Sequence, residues 1–219
     1  VVLFRGNYPG WPWITRTPSG KLVATFREGA EHGYSPGGHV LICESADGGQ
    51  KWSTPKNVAD EKDIDDRNAA VLALSDDDWL VSYNTYTSNQ ISRPMVVRTH
   101  DAGRTWSAPQ LVTDIDARTR GGAIKLSSGE LLLPIYRAQG NGSLCARSED
   151  NGKTWQIVEL MDVEGYVGDE WSLAEVSPGR IVGIHRNNHA SRDGFLWRTV
   201  STDAGKTWSA PRVIAAVEG

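Results

Sequence analysis

The chain of 219 residues is short of the features that most directly reveal chemistry. It has two cysteines, Cys43 and Cys145, each in an apolar run of a different repeat. They read as buried free thiols and leave the cellular compartment open. Its five histidines show no metal-ligand spacing: His100 sits in a turn, while His185 and His189 flank Arg186 as pocket lining. No metal or other cofactor is expected. A net charge of −4 argues against a dedicated nucleic-acid binder. No apolar run is long enough to span a membrane, and no segment carries helical periodicity. Methionine is missing at the start, where Val1 opens the chain without a signal peptide, as in a processed or excised segment.

What is present is repetition. Ser45-Ala-Asp47-Gly-Gly49-Gln-Lys-Trp52, Thr99-His-Asp101-Ala-Gly103-Arg-Thr-Trp106, Ser148-Glu-Asp150-Asn-Gly152-Lys-Thr-Trp155 and Ser201-Thr-Asp203-Ala-Gly205-Lys-Thr-Trp208 share the core Ser/Thr-x-Asp-x-Gly-x-x-Trp. The period, about 50 residues, suits one small sheet per repeat. The Asp side chain accepts backbone N–H bonds from a residue or two ahead, which holds a tight turn. Glycine supplies the positive φ, and Trp anchors the next strand against a neighbouring sheet. The box aspartates therefore read as structural. Only three phenylalanines stand against nine tryptophans, and the five tryptophans outside the boxes are available for packing or sugar stacking.

Between Gly/Pro/Asp clusters lie short runs rich in β-branched and aromatic residues, the signature of strands. About four fall in each of the units 11–60, 65–114, 118–162 and 167–219, read together as a single domain. A second turn, at Pro18–Gly20, Asp76–Asp78, Ser127–Gly129 and Ser177–Gly179, precedes each box in phase. The strands expected at the margins are Val1–Phe4, Gly122–Leu126 and Val213–Ala216.

Strand order gives each unit polarity. If the box joins strands three and four, then the starts of first strands and the loops between strands two and three lie at the opposite end. Those segments hold Arg27, Glu28, His32, Asp65, Asp66, Arg67, Asn68, Tyr83, Asn84, Tyr86, Arg118, Arg120, Tyr136, Arg137, Asp169, Glu170, Trp171, His185, Arg186, Asn187 and His189. Arginine forks suit carboxylates. Paired acids suit glycosidic cleavage, and aromatics stack on sugar rings.

The four boxes are similar to the Asp-box, or BNR, repeats of the sialidase superfamily, over nearly the whole chain. The resemblance implies an all-β fold, a β-propeller of four-stranded antiparallel blades. Four units would close a four-bladed ring, with the N-terminal strand completing the last blade. Sialidase propellers have six blades, so the favoured expectation is part of a six-bladed ring. An open ring would expose edges able to pair with a second copy.

Glu170-Trp-Ser-Leu-Ala-Glu-Val176 followed by Arg180-Ile-Val-Gly-Ile-His-Arg186-Asn187 resembles the sialidase segment with a Glu, a turn and an Arg-Asn/Asp pair. That implies Glu170 as the base assisting a tyrosine nucleophile and Arg186 as one of three arginines gripping a carboxylate. Elsewhere the chain departs from the pattern. The family's Arg-Ile-Pro stands here as Gly10-Trp11-Pro12, with Arg5 the nearest arginine. The second family arginine falls near Ala30, and no Asp stands before His39 where the acid/base belongs. The third arginine and the tyrosine would lie in blades past residue 219. Arg27-Glu28-Gly29-Ala-Glu-His32 and Asp65-Asp66-Arg67-Asn68 are closer to bacterial sialidase-like Asp-box proteins.

These readings imply a glycoside hydrolase or diverged relative, with a glycan or small carbohydrate as its ligand. Arg67, Arg120 and Arg186 would hold an acidic or hydroxyl-rich sugar, helped by Arg27, Tyr136, Arg137, Trp171 and Asn187. Glu170 would act as base or base activator, with Glu28, Asp66 or His32 donating the proton. Two alternatives stand beside this one: a non-catalytic glycan- or protein-binding propeller, and a polysaccharide lyase using His32, Tyr83 and Arg137.

Overall fold

A computed structural model describes residues 2–139, 142–187 and 195–214. The chain forms two compact units, Val1–Asp114 and Ile115–Gly219, each holding two antiparallel sheets of the kind that make propeller blades. In unit 1, β1 (Gly10–Arg16), β2 (Leu22–Glu28), β3 (His39–Ser45) and β4 (Lys56–Ala59) make the first blade. The second blade is β5 (Arg67–Ala73), β6 (Trp79–Tyr86), β7 (Ser92–Thr99) and β8 (Gln110–Leu111). In unit 2, β9 (Ala117–Thr119), β10 (Ile124–Lys125), β11 (Leu131–Arg137), β12 (Ser143–Ser148) and β13 (Gln156–Glu159) share one sheet. The last blade is β14 (Trp171–Ser177), β15 (Arg180–His185), β16 (Trp197–Ser201) and β17 (Arg212–Val213). The described residues contain no helix, and so none long and apolar enough to cross a membrane.

Every box joins the third and fourth strands of its blade, as expected. The carboxylate reaches farther than expected, however. Asp101 Oδ1 accepts N–H bonds from Arg104 at 3.0 Å and Thr105 at 2.8 Å, three and four residues ahead. The residue two before the Asp completes the loop: Thr99 Oγ1 donates to Asp101 Oδ1 at 2.7 Å and accepts from Gly103 N at 3.0 Å. Asp47, Asp150 and Asp203 repeat the Ser-to-Asp and Gly-to-Ser bonds. The box aspartates spend their acceptors on the turn.

Two marginal strands differ from expectation. No strand precedes Gly10 among the described residues; Leu3 and Phe4 instead pack on the Phe26–Leu41–Cys43 cluster, with the Phe4 ring 5.0 Å from Phe26. The first strand of the third blade, expected at Gly122–Leu126, is broken into β9 and β10, which both pair with β11. Gly121 lies in the break, where a Cβ would stand 2.2 Å from the Trp171 carbonyl oxygen. Only glycine lets the chain pass that close. The last strand ends at Val213, and residues 215–216 lie outside the described region.

Each unit has a core cluster drawn from both of its blades. In unit 1, Val23, Val40 and Ile42 meet Val71, Trp79, Val81 and Val97. In unit 2, Leu132 and Cys145 meet Trp171, Ile181 and Trp208. In unit 1 the alternation of apolar residues along β3 (Val40, Ile42), β5 (Ala69, Val71) and β6 (Trp79, Val81, Tyr83) supplies that face. Cys43 and Cys145 are buried free thiols, and burial raises both above the usual thiol range.

Candidate functional site

The loop ends opposite the boxes carry one polar cluster in each unit. In unit 1 the cluster is built on a buried ion pair. Arg27, at 0% exposure near the end of β2, forms a bidentate fork on Asp65: Nε to Oδ1 at 2.7 Å and Nη2 to Oδ2 at 2.8 Å. Its remaining nitrogen, Nη1, donates to the Glu31 carbonyl at 2.8 Å, and Ser35 N adds a bond to Asp65 Oδ2 at 3.1 Å. Gly38 packs on the pair, with room for no Cβ: one would lie 2.2 Å from Asp65 Oδ1. Arg27 is thus a structural clamp.

Arg67 is held differently. Its guanidinium carbon lies 4.4 Å from the Trp11 ring centroid and 5.1 Å from that of Tyr86, and its Nη2 donates to the His32 carbonyl. Such stacking on aromatic faces is favourable when partly desolvated. Trp11 takes φ 49° and Asn68 φ 58°, each where its strand slips register against its neighbour. These β-bulges re-aim side chains at the start of β1 and β5, and a bulky residue in that region of backbone space is strained. His32 is exposed; its Nδ1 lies 2.9 Å from Tyr8 Oη, and its ring centroid 5.2 Å from Trp11. Glu28 Oε1 accepts from Asn7 N at 2.8 Å.

Asp66 is buried, with Oδ2 accepting from Glu61 N at 2.9 Å and Oδ1 without a hydrogen-bond partner among the described residues. Burial pushes its carboxyl up to about 7, with Glu61, Asp60 and Asp65 adding to the rise against the opposing Glu61 N–H bond. Tyr83 is buried in the core. Asn84 Oδ1 accepts from Asn68 Nδ2 at 3.1 Å, and so ties β6 to β5.

The unit 2 cluster is open to water. Glu170 lies just before β14, one-third exposed (32%), between Arg120 Nε at 3.7 Å from Oε1 and Arg186 Nη1 at 3.3 Å from Oε2. Arg186 is 56% exposed and also approaches Asp169 Oδ2 at 3.7 Å. Its backbone N–H donates to the Glu170 carbonyl at 2.8 Å, which fixes the two residues side by side. Tyr136, on β11, is buried and its phenol is pushed up to about 12, by burial first and then by Glu170 and Asp169. Tyr136 pairs in register with Arg118.

Other expected ligand residues are occupied within the protein. Trp171 is buried, stacked 4.5 Å from His185 at 12°, and donates Nε1 to the Ile135 carbonyl at 2.9 Å. Asn187 is buried and bridges Val167 N at 2.8 Å and the Gly165 carbonyl at 2.9 Å. Arg137 pairs with Glu159 at 2.8 Å. His189 lies outside the described residues. Sequence reasoning missed Tyr8 and Trp11 around Arg67 and His32, and Tyr166 beside His185. A Gly-Trp-Pro triplet opening a strand is the signal that marks Trp11 as a bulge residue; Tyr8 and Tyr166 carry none, since both sit in irregular chain. No group of three or more His, Cys, Asp or Glu among the described residues is arranged to hold a metal ion.

A family model described as a BNR repeat-like domain matches residues 20–218. A sialidase of Micromonospora viridifaciens is 28% identical over 246 residues, covering 93% of this chain and 36% of that protein. An exo-alpha-sialidase of Aspergillus fumigatus is 26% identical over 233 residues, covering 84% of this chain and 52% of that protein. Among solved structures, the NanB sialidase from Streptococcus pneumoniae superposes with a TM-score of 0.83 at 12% identity, over 100% of this chain and 54% of that one. A Hadza microbial sialidase gives 0.78 at 21% identity, over 94% and 46%. A Dyadobacter fermentans protein of unknown function gives 0.84 at 19% identity, over 97% and 71%. The chain thus spans about a third to a half of the length of these two curated relatives.

Proposed function

This chain belongs to the BNR repeat-like family of sialidase-like proteins, and from that premise we propose that it acts on glycans as a glycoside hydrolase or a diverged relative of one. The observation that carries the proposal is Glu170 between Arg120 and Arg186. Its two contacts, at 3.7 and 3.3 Å, are longer than a bidentate fork, and all three side chains meet solvent. A sugar carboxylate or a pair of hydroxyls competes for those guanidinium forks at small cost, because half-exposed ion pairs are weak. Displacing Glu170 from the arginines frees it to act as base or base activator.

Unit 1, taken by itself, carries candidate proton donors of its own in Asp66, Glu28 and His32. Asp66 holds its proton near neutral pH, as a general acid must, but is buried; His32 is the exposed one. Arg67 would offer a sugar the rim of its aromatic sandwich. The test is hydrolysis of a panel of chromogenic acidic and neutral glycosides. Glu170→Gln is expected to remove at least 99% of turnover and leave the melting temperature unchanged; full turnover by this variant sinks the assignment.

A second reading, a non-catalytic glycan binder, is favoured by one observation: Gly10 stands where the family resemblance calls for an arginine, and Arg27, its partner across the strand pair, is spent on Asp65. Saturable binding of an acidic oligosaccharide with no turnover, weakened by Arg186→Ala, selects this reading.

A further inference from the structure

His185 is an ionisable side chain at 0% exposure that the proposed chemistry leaves unused. It ends β15, next to Arg186, and pairs in register with Trp171, next to Glu170. Both ring nitrogens are occupied. Nδ1 lies 2.9 Å from Tyr166 Oη and 3.1 Å from Ser143 Oγ, and Nε2 lies 3.0 Å from Thr199 Oγ1. Ser143 and Tyr166 also bond each other at 2.7 Å. One imidazole thus ties together β12, β16 and the segment leading to Glu170. On the far side of Arg186, Asn187 grips the same segment through Val167 N and the Gly165 carbonyl. Gly142 N donates to the Val167 carbonyl at 2.7 Å, closing the segment onto the start of β12.

We propose that His185 is a positioning residue that, together with Asn187, anchors the Tyr166–Glu170 segment so that Asp169 and Glu170 stand opposite Arg186. The inference rests on reading Glu170 and Arg186 as the sugar-contacting residues. In the run His185-Arg186-Asn187 the middle side chain faces solvent, and the two flanking ones hold down the segment that carries its partners. The ring must be neutral to do this. Its bonded partners among the described residues are three hydroxyls, which give an imidazolium no compensating charge. The charged or titratable groups on the surrounding elements are Tyr166, Asp169 and Glu170 on that segment, Cys145 and Arg147 on β12, Glu175 on β14, Arg180 on β15, Arg198 on β16 and Arg186. Of these, only Tyr166 bonds the ring among the described residues. Burial pushes the imidazole down to about 3, in keeping with that surrounding.

Three measurements on the full chain test the proposal. Imidazole nitrogen shifts should show His185 neutral from pH 8 to pH 5; a midpoint near the ordinary histidine value overturns it. His185→Phe keeps the stack on Trp171 and removes both nitrogens. It should raise amide exchange at Val167 and Gly142 at least tenfold, while the amides of β11 and β15 keep their protection. Under the same conditions affinity for a simple sugar acid should fall about tenfold, and His185→Gln should recover part of both effects. If His185→Phe does not fold, Asn187→Ala is read in the same assay. Unchanged exchange at Val167 in the variant that folds overturns the anchoring role. If the unmodified chain neither binds nor cleaves any glycan, the glycan reading fails, while the shift and exchange results still decide the anchor.

Discussion

Arg27 in unit 1 and Arg186 in unit 2 are the same residue type on corresponding parts of their blades, each beside an acid. Arg27 is fully buried, bidentate at 2.7 and 2.8 Å, with its third nitrogen on a carbonyl. Arg186 is more than half exposed and reaches its two acids at 3.3 and 3.7 Å. The first geometry leaves nothing for a ligand and binds the fold together. The second contributes little to the fold and leaves a fork a ligand can take. Burial and bond length, not residue identity, separate the two roles.

Removing one member of each pair is the direct way to break that comparison. Arg27→Ala removes the bidentate fork and leaves buried Asp65 with the looser Arg67 Nη1 contact at 3.7 Å and the Ser35 N–H bond, and should cost about 3 kcal/mol of stability, read as a lowered urea midpoint. The double variant Arg27→Met, Asp65→Leu should recover most of that loss. Arg186→Ala should cost less than about 1 kcal/mol while weakening glycan binding at least tenfold by calorimetry. Equal stability losses at both arginines would erase the distinction.

The fold was legible because its signal is local and repeated. A turn that spends one carboxylate on two N–H groups and one hydroxyl needs Ser/Thr, Asp and Gly at fixed offsets, so the box declares strands three and four of every blade. The break between β9 and β10 was not legible, since it depends on how closely Gly121 approaches Trp171 in the next blade. The site was legible by segment but not by role. Arg27, Trp171 and Asn187 lie in the expected segments, and only the three-dimensional pairing shows that their polar atoms and rings are already engaged. Glu170 and Arg186, sixteen residues apart in sequence, meet with Arg186 Nη1 3.3 Å from Glu170 Oε2. The anchoring of their segment by Tyr166, Ser143 and Thr199 has no sequence pattern at all, because it joins three separate elements.

The comparison extends to pH, since each unit buries a carboxyl or imidazole whose charged form burial disfavours. For His185, pushed down to about 3 from the ordinary 6.5, the unfolded chain binds the extra proton between those values. Stability therefore rises with pH across that window, by up to about 1.4 kcal/mol per unit. For Asp66, pushed up to about 7 from 3.8, the folded chain binds the extra proton. Its contribution is complete below 3.8 and is lost as pH rises to 7. Between about pH 4 and 6.5 the two slopes oppose, and the unmodified chain should show a shallow stability profile. Asp66→Asn removes the falling slope, so that variant should lose stability steeply as pH drops from 6.5 to 4 and should exceed the parent above pH 7. Urea unfolding at five pH values checks this; parallel profiles for the two proteins would remove Asp66 as the source.

The smallest expected effect contrasts the boxes themselves, one from each unit included. In the second, third and fourth boxes a threonine hydroxyl reaches the second carboxylate oxygen at 2.6 Å: Thr105 to Asp101, Thr154 to Asp150 and Thr207 to Asp203. The first box has Lys51 at that position, and only its backbone N–H bonds Asp47, at 2.9 Å. The Thr154 hydroxyl, followed by the Thr154 N–H, holds Asp150 down to about 2, whereas Asp47 is lowered chiefly by the Lys51 N–H and the Ser45 hydroxyl. Lys51→Thr adds the missing bond to an exposed turn, where a hydrogen bond is worth little net. The melting temperature should therefore rise by only about a degree or two, and Thr105→Lys should lower it by a similar amount. The sharper reading is the carboxyl carbon titration of Asp47, which should move further below the ordinary range in Lys51→Thr. A titration that stays in place would mean that the hydroxyl does not reach Asp47, and that the fourth acceptor site of the box is set by the blade rather than by the turn.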